Sequence, residues 1–382
     1  IETIHFPQSL DEALKAKKRL AFDELLELQL SSLIRKKSWS KEKIKPWEIN
    51  KYKGQLEKFI KHIPFTLTHA QEKAVKEILN DLSKDTSMNR LLQGDVGSGK
   101  TIVATIAAFM GYLNGFQIAF MAPTEILANQ HYNVISKLLS PFKIKAELIT
   151  GSTKKQIKEF DLLIGTHSLI YNKVKFKNLE LIIIDEQQKF GVEQRAILRE
   201  KGKNPHLLTM TATPIPRTVA LTMYGDLDVS FIDEMPLGRK IIKTWLVPEE
   251  KRSNAYEWIR KEIIKNKTQA FIICPFIEES ETMVTVKAAV EEFEMLKEQI
   301  FPDLKLSLLH GKLKSKEKEK ILEDFKNKKT DILVATPVVE VGIDIPNATV
   351  MVIEASERFG LSQLHQLRGR VGRNDMQSYC LL

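Results

Sequence analysis

Short apolar runs separated by longer amphipathic stretches set the rhythm of this 382-residue chain. From residue 65 onward, runs at 90–92, 118–122, 146–148, 162–164, 181–184 and 207–210 are too short for helices and are rich in branched residues, which predicts buried strands. Stretches of helical spacing lie between most of them, including one over 102–112. Strands with little polar alternation, interleaved with helices, argue for a parallel sheet covered on both faces. The segment Glu234-Met235-Pro236-Leu237-Gly238-Arg239 breaks this pattern. A second series then begins, with strands expected at 243–246, 270–274, 306–309, 332–335 and 349–353 and a helix at 314–326. The pattern reads as two α/β domains in tandem, joined near residue 240. Ahead of them, residues 10–37 carry Leu10, Leu14, Leu20, Leu25, Leu28 and Leu33 at mixed spacing among charges. They predict a long helix that packs or links; direct nucleic-acid contact is the alternative. No internal repeat is expected.

Composition narrows this picture. No apolar run reaches the ~18–20 residues of a membrane-spanning helix, so no membrane role is expected. The opening Ile1-Glu2-Thr3-Ile4-His5 has neither the basic nor the apolar part of a secretory leader. It also lacks an initiator Met, as a fragment would. Cys274 and Cys380 lie in apolar surroundings outside any C-x-x-C pair. They read as buried free thiols in a reducing cytoplasm. The eight histidines show no ligand spacing, so no zinc site is expected. The net charge is +9, and residues 1–62 hold 14 Lys and Arg against 9 Asp and Glu. A basic arm is compatible with a nucleic-acid partner, although lysine-rich composition has other causes. The Lys/Glu run at 312–329 reads as the solvated face of a helix.

The sharpest chemistry lies in Gly94-Asp95-Val96-Gly97-Ser98-Gly99-Lys100-Thr101. The glycine spacing and the closing Lys-Thr match the P-loop pattern, in the strand–loop–helix setting it requires. Glycines let backbone N–H groups converge on phosphate oxygens, and the helix N-terminus adds partial positive charge. Lys100 is placed to reach the β- and γ-phosphates of ATP, and the Thr101 hydroxyl to ligate Mg2+. A second element follows 85 residues later, where the run 181–184 ends in Asp185-Glu186. Carboxylates at the carboxyl end of a parallel strand point into the ligand crevice of such folds. Asp185 is the expected Mg2+ ligand, through water, and Glu186 the group that orients or deprotonates the attacking water.

Further segments complete an ordered set: Ala122-Pro123-Thr124-Glu125, Thr211-Ala212-Thr213 and Gln366-Leu367-Arg368-Gly369-Arg370-Val371-Gly372-Arg373. In this order the motifs resemble those of superfamily 2 helicases over residues 62–382. The wording of residues 88–101, of Phe190-Gly191-Val192-Glu193-Gln194-Arg195 and of Thr211-Ala212-Thr213-Pro214-Ile215-Pro216-Arg217-Thr218 resembles the bacterial RecG branch-migration helicases. Ile4-His5-Phe6-Pro7 is similar to the stretch where their helicase portion begins. The resemblance implies two tandem RecA-like P-loop NTPase domains with mostly parallel sheets. They would span 62–238 and 239–382, preceded by a helical linker over 1–61.

It also implies roles. Phe65, Thr68 and Gln71 would contact adenine, since an aromatic can stack on the ring and a Gln amide can pair with its edge; a plain surface position for Gln71 is the alternative. Arg370 and Arg373, with Gln366, would enter the ATP site from the second domain, where a planar guanidinium suits phosphate oxygens. Arg370 lies 270 residues from Lys100, so such a meeting requires domain closure and couples ATP to motion. Asp344, with Glu340 and Gly342, would line the cleft. Thr124, Gly151 with Ser152, Thr166 with His167, and Thr336 would touch the sugar–phosphate track without reading sequence. Thr211 and Thr213 would link hydrolysis to DNA engagement.

One letter departs from the family, which has Asp-Glu-Gln-His where this chain has Asp185-Glu186-Gln187-Gln188. Magnesium binding and water activation should survive, and the relay to Thr211 should change. RecG proteins carry a wedge domain before this region and a helical hairpin and hook after it. The chain therefore reads as the motor core of a longer protein, expected to bind ATP and unwind forks weakly alone. The implied activity is ATP-dependent remodelling of branched DNA by a monomeric motor in the bacterial cytoplasm and nucleoid, with single-stranded-DNA-binding protein as a partner. The alternatives are a double-stranded DNA translocase of the transcription-repair coupling type and a non-catalytic binding module switched by ATP.

Overall fold

A computed structural model describes residues 2–39, 42–151, 153, 157, 159–171, 174–213, 227–236, 240–275, 283–337, 345–372 and 374–382. They form two compact bodies, one around each of two sheets.

The arm contains α1 (Glu2–His5), α2 (Leu10–Trp39) and α3 (Lys53–His62). Leucines are spread around α2, and Leu10, Leu14, Leu25, Leu28 and Leu33 are exposed. The rest of the arm is well anchored. Trp47 is buried, donates its backbone N–H to Leu82 O (3.0 Å) and lies edge-on to His206 at 5.0 Å between ring centroids. On α3, Phe59 is fully buried and stacks on Phe109 at 4.3 Å and 14°. Offset aromatic pairs of this kind add to simple area burial.

The first sheet has the order β3-β4-β2-β5-β6-β1-β7. Its strands are β1 (Asn89–Gly94), β2 (Gln117–Met121), β3 (Ala146–Ile149), β4 (Leu162–Gly165), β5 (Leu179–Ile184), β6 (His206–Thr211) and β7 (Asp228–Ile232). The pairings from β3 through to β1 are parallel. The helices α4 (His69–Leu82), α5 (Lys100–Leu113), α6 (Glu125–Leu139) and α7 (Val192–Arg199) connect them. Residues 102–111 of α5 are all buried, as an apolar run without a polar face must be. The six strands expected from the pattern are present. The alternating Asp228-Val229-Ser230-Phe231-Ile232 adds the edge strand β7, which half-buried spacing conceals.

The second sheet is parallel throughout, in the order β10-β11-β9-β12-β13-β8. It comprises β8 (Lys243–Trp245), β9 (Gln269–Ile273), β10 (Leu306–Leu309), β11 (Ile332–Ala335), β12 (Ala348–Ile353) and the unexpected three-residue β13 (Tyr379–Leu381). Its helices are α8 (Arg252–Asn266), α9 (Met283–Met295), α10 (Ser315–Lys326) and α11 (Leu361–Arg368). One face buries Phe271, Leu333, Met351, Leu367 and Cys380, and the other buries Ile259, Ile272, Phe301, Val334 and Val350. Cys274 and Cys380 are buried free thiols, and burial pushes each up to about 12.

An internal duplication was not visible as a repeat in the sequence. Ile184, Phe190 and Gly191 recur 169 positions later as Ile353, Phe359 and Gly360, with Glu354 and Ala355 in the places of Asp185 and Glu186. The backbone recurs with them. Glu186 (φ 48°, ψ 55°) and Ala355 (φ 49°, ψ 51°) both adopt the left-handed conformation at a strand end. Each leads through a 3-10 turn into an eight-residue helix entered by a glycine.

Candidate functional site

Parallel strands deliver their carboxyl ends to one rim. Along the first sheet the sequence-predicted residues follow such ends: residues 94–101 after β1, Thr124 after β2, Gly151 after β3, Thr166 after β4, Asp185 and Glu186 after β5, and Thr211 and Thr213 at and beyond the end of β6. Along the second sheet Thr336 follows β11 in the same way. Ligands of open α/β sheets bind at this rim.

After β1 the chain turns through Asp95, whose carboxylate accepts from Val96 N (2.7 Å) and whose carbonyl accepts from Ser98 N (3.1 Å). Gly97 and Gly99 have φ of 78° and 88°, a region that a Cβ makes costly. Lys100 opens α5, is buried, and lies close enough to Glu186 to lower its pKa. A buried lysine at a helix N-terminus behind a glycine turn is a cradle for anionic phosphate. Thr101 follows at the next position. A hydroxyl from Thr101 and a carboxylate from Asp185 are hard oxygen donors, the chemistry that suits Mg2+. The residues present therefore fit a nucleotide with its metal.

Asp185 and Glu186 are both buried. Asp185 Oδ1 accepts from the Glu186 backbone N–H at 3.0 Å. Burial pushes the Glu186 carboxyl up, and the neighbouring Asp185 pushes it further. Three groups pull it back: the Gln188 amide, the Lys100 charge and the Ala212 N–H. Gln188 Nε2 donates to Glu186 Oε2 at 2.8 Å, and Gln188 Oε1 accepts from Thr211 Oγ1 at 3.2 Å. Thr211 Oγ1 in turn accepts from Thr213 N (3.1 Å), and Ala212 N reaches Glu186 Oε2 (3.4 Å). The glutamine that replaces the expected histidine thus bridges the acid to the loop after β6. An amide is suited to this, since it offers both a donor and an acceptor in either rotamer. Glu186 holds a left-handed backbone, of the kind that functional sites retain at a cost.

The adenine-contact candidates lie at and just before the start of α4. Phe65 is half exposed. Thr68 caps α4, accepting from Gln71 N at 3.3 Å, while Gln71 Oε1 accepts from Thr68 N at 2.9 Å. This capping box buries Gln71 to 1% exposure, so it is no plain surface residue, and one of its two amide functions already serves the helix. Thr124 Oγ1 accepts from Leu127 N at 3.3 Å at the start of α6. Thr166 is buried within 3.4 Å of Ser168 Oγ, Gly151 is exposed, and Thr336 is buried and donates its N–H to Leu309 O (3.1 Å). Gln366 lies near the end of α11 and Arg370 just beyond it, both buried. Asp344, Glu340, Gly342, Ser152, Arg373 and Pro214 to Thr218 lie outside the described residues.

The duplicated strand end carries a different chemistry. Glu354 occupies the place of Asp185, yet it accepts from the Tyr256 hydroxyl (2.6 Å) and pairs with Arg252 (3.0 Å). Arg252 also pairs with Glu292 at 3.0 Å. The second acid is replaced by Ala355. The second body therefore keeps the backbone of the acidic turn and spends its carboxylate on an internal ion pair.

Comparison with known proteins agrees with this geometry. Residues 68–222 match the DEAD/DEAH box helicase family, and residues 254–375 match the helicase conserved C-terminal domain. Together with the two parallel-sheet bodies, these matches make the chain a superfamily 2 helicase core built of RecA-like domains. The ATP-dependent DNA helicase RecG of Synechocystis sp. is 51% identical over 100% of the chain and 47% of its own length. The same-named protein of Aquifex aeolicus is 53% identical over 96% of the chain and 47% of its own length. A structure of RecG bound to a three-way DNA junction superposes with a TM-score of 0.83 at 47% identity, covering 100% of the chain and 51% of that protein. The chain belongs to the RecG family. It spans about half the length of these relatives.

Proposed function

We propose that the chain is the ATP-driven motor of a helicase that remodels branched DNA, at replication forks and Holliday junctions, in recombination and repair. The observation that carries this reading is the bonded path from Glu186 through Gln188 to Thr211. It joins the acid at the phosphate rim to the loop assigned to DNA coupling. Relatives are named ATP-dependent DNA helicases, and one RecG was captured on a three-way junction.

The parts act as follows. Residues 62–238 form the ATP-binding domain and 239–382 its helicase partner, with 1–61 as a helical arm. Residues 94–99 wrap the phosphates with backbone N–H groups, Lys100 neutralises their charge, and Thr101 with Asp185 holds Mg2+. The metal, when bound, spreads the negative charge that builds during phosphoryl transfer. Glu186 accepts a proton from water; its raised pKa brings it nearer neutrality, where a general base is most effective. Arg370 and Arg373, with Gln366 and Asp344 at the cleft, complete the site on closure. Phe65, Thr68 and Gln71 hold the base. Thr124, Gly151, Thr166, Thr211, Thr213 and Thr336 line the DNA track through hydroxyls and backbone amides, which grip phosphate without reading sequence. We assign a monomeric motor to the bacterial cytoplasm and nucleoid, where single-stranded-DNA-binding protein meets the same forks. Among the described residues no helix is long and apolar enough to cross a membrane.

The test is steady-state ATP hydrolysis with a three-way junction, linear duplex or no DNA. Stimulation at least tenfold greater with the junction supports the reading. Equal rates in all three would remove the branched-DNA assignment.

A further inference from the structure

The acidic turn has an apolar anchor besides the Gln188 amide. After Glu186 the chain makes the 3-10 turn Gln187–Lys189. Lys189 N donates to Glu186 O (2.9 Å) and Phe190 N donates to Gln187 O (3.1 Å). These two consecutive bonds tie the place of Phe190 to the left-handed backbone of Glu186. Phe190 is only 5% exposed and belongs to the same apolar cluster as Ile184 on β5 and Leu169 beyond β4. Among the described residues the Gln187 amide, buried in this turn, has no hydrogen-bond partner. Its side chain therefore adds no polar tie of its own.

Phe190 also meets a second 3-10 turn, His167–Leu169, at the end of β4. The Phe190 and His167 rings lie 5.3 Å apart between centroids and are tilted by 50°. Thr166 O accepts from Leu169 N (3.0 Å), and His167 O accepts from Ile170 N (3.0 Å). Strand β2 stands between β4 and β5, so their ends are two strand spacings apart, about 10 Å. The ring contact bridges that gap. His167 is half-buried and Phe190 buried, so the pair runs from the surface inward. The end of β4 is pressed against β3, where a Cβ on Gly165 would lie 2.4 Å from Ile149 O. A displacement of the His167 turn is thus carried by its ring contact more readily than by the strand beneath it, since dense packing transmits strain.

We propose that Phe190 is a positioning residue that couples the Thr166–His167 turn to the Glu186 turn, giving DNA a second, apolar route to the hydrolytic acid. The inference rests on the proposed function, in which Thr166 grips the DNA backbone and Glu186 takes a proton from water. Phe190 touches neither nucleotide nor DNA in this scheme. Phosphate held at the outer turn fixes His167, the rings pass the constraint to Phe190, and two backbone bonds pass it to Glu186. The route is separate from the Gln188 amide, which leads to Thr211.

The experiment is a double-mutant cycle on the 382-residue chain, with Phe190→Leu, His167→Ala and the pair. Leucine keeps an apolar side chain in the cluster and removes the ring, which guards the fold. A further variant, His167→Phe, keeps a ring against Phe190 and removes the imidazole. Thermal melts and ATP dissociation constants accompany turnover without DNA and across a titration with a three-way junction. In Phe190→Leu, basal turnover, ATP affinity and the half-stimulating junction concentration stay within about twofold, while maximal stimulation falls about fivefold or more, as for ordinary coupling between sites. His167→Ala loses maximal stimulation to a like degree, and the pair loses no more than either alone. His167→Phe weakens junction binding and retains the maximum. If Phe190→Leu keeps full stimulation, if the two single losses multiply in the pair, or if His167→Phe loses the maximum as His167→Ala does, the coupling is overturned and the hydrolysis reading stands. If basal and stimulated turnover fall together in Phe190→Leu, the residue serves the fold only and the proposal fails. If the natural sequence shows no stimulation by any DNA, the proposed function fails and takes the inference with it.

Discussion

Replacing Gln188 by leucine removes the amide that ties Glu186 to Thr211 while keeping a side chain of similar size. The bond from Gln188 Nε2 to Glu186 Oε2 is 2.8 Å long and its acceptor is buried. Hydrogen bonds to charged groups contribute about 1.5–3 kcal/mol, and one pKa unit corresponds to about 1.4 kcal/mol. Loss of this bond therefore raises the Glu186 pKa further, beyond the rise already caused by burial and Asp185. Because Glu186 works as a base only when ionised, the acidic limb of the pH–kcat profile moves to higher pH. The assay is junction-stimulated ATP hydrolysis from pH 5.5 to 9. Stimulation should also drop at the alkaline plateau, where ionisation is complete, because the link to Thr211 is gone. Gln188→His offers the same donor and acceptor while neutral, so it should retain the plateau and acquire an additional titration near the ordinary histidine range, about 6.5. An unmoved acidic limb together with unchanged stimulation in Gln188→Leu would refute the bridging role.

Other consequences are simpler to read. Gly99→Ala places a Cβ at φ 88° in a turn that also approaches phosphate, and nucleotide affinity should fall at least tenfold; unaltered affinity in a titration would contradict the cradle. His206 is buried, accepts from Met88 N at its Nδ1 (2.9 Å), and burial pushes its pKa down to about 4. Its neutral form is favoured by the fold, so it contributes stability that is complete above the unfolded pKa of about 6.5 and declines as pH falls toward 4. The full effect is on the order of 3 kcal/mol, measurable by urea unfolding at pH 7, 5 and 4 beside His206→Gln, whose profile should be flatter. Thr68→Ala breaks the capping box of α4 and should cost about 1 kcal/mol, seen as a lower melting temperature.

Much of this architecture could be read from the letters, because strands buried on both faces announce themselves as apolar runs. The strand over 181–184 and the P-loop before α5 are of that kind. What escaped depended on context. Strand β7 alternates and β13 is three residues long, so neither has enough periodicity to stand out. Gln71 looked like a base reader or a surface residue, and pairing with Thr68 makes it a cap as well. Gln188 looked like a weakened histidine; only three dimensions show one amide spanning Glu186 and Thr211. The duplicated turn at 184–191 and 353–360 was present in the sequence, but its shared letters are few. Backbone angles at Glu186 and Ala355 reveal it. The exposed leucines of α2 show the opposite limit, since apolar residues on a helix identify a face without showing what it meets.

The central claim is that Glu186 turns nucleotide binding into hydrolysis that DNA controls. The most direct test is Glu186→Gln, which keeps size and hydrogen bonding while removing the base. ATP dissociation constants and ATP turnover are measured for both proteins with and without a three-way junction. The account predicts junction-stimulated turnover in the natural sequence, turnover at least about a hundredfold lower in the variant, and ATP binding within a fewfold of the original. Equal turnover in the two proteins, or ATP binding by the natural sequence with no hydrolysis on any DNA, would contradict it.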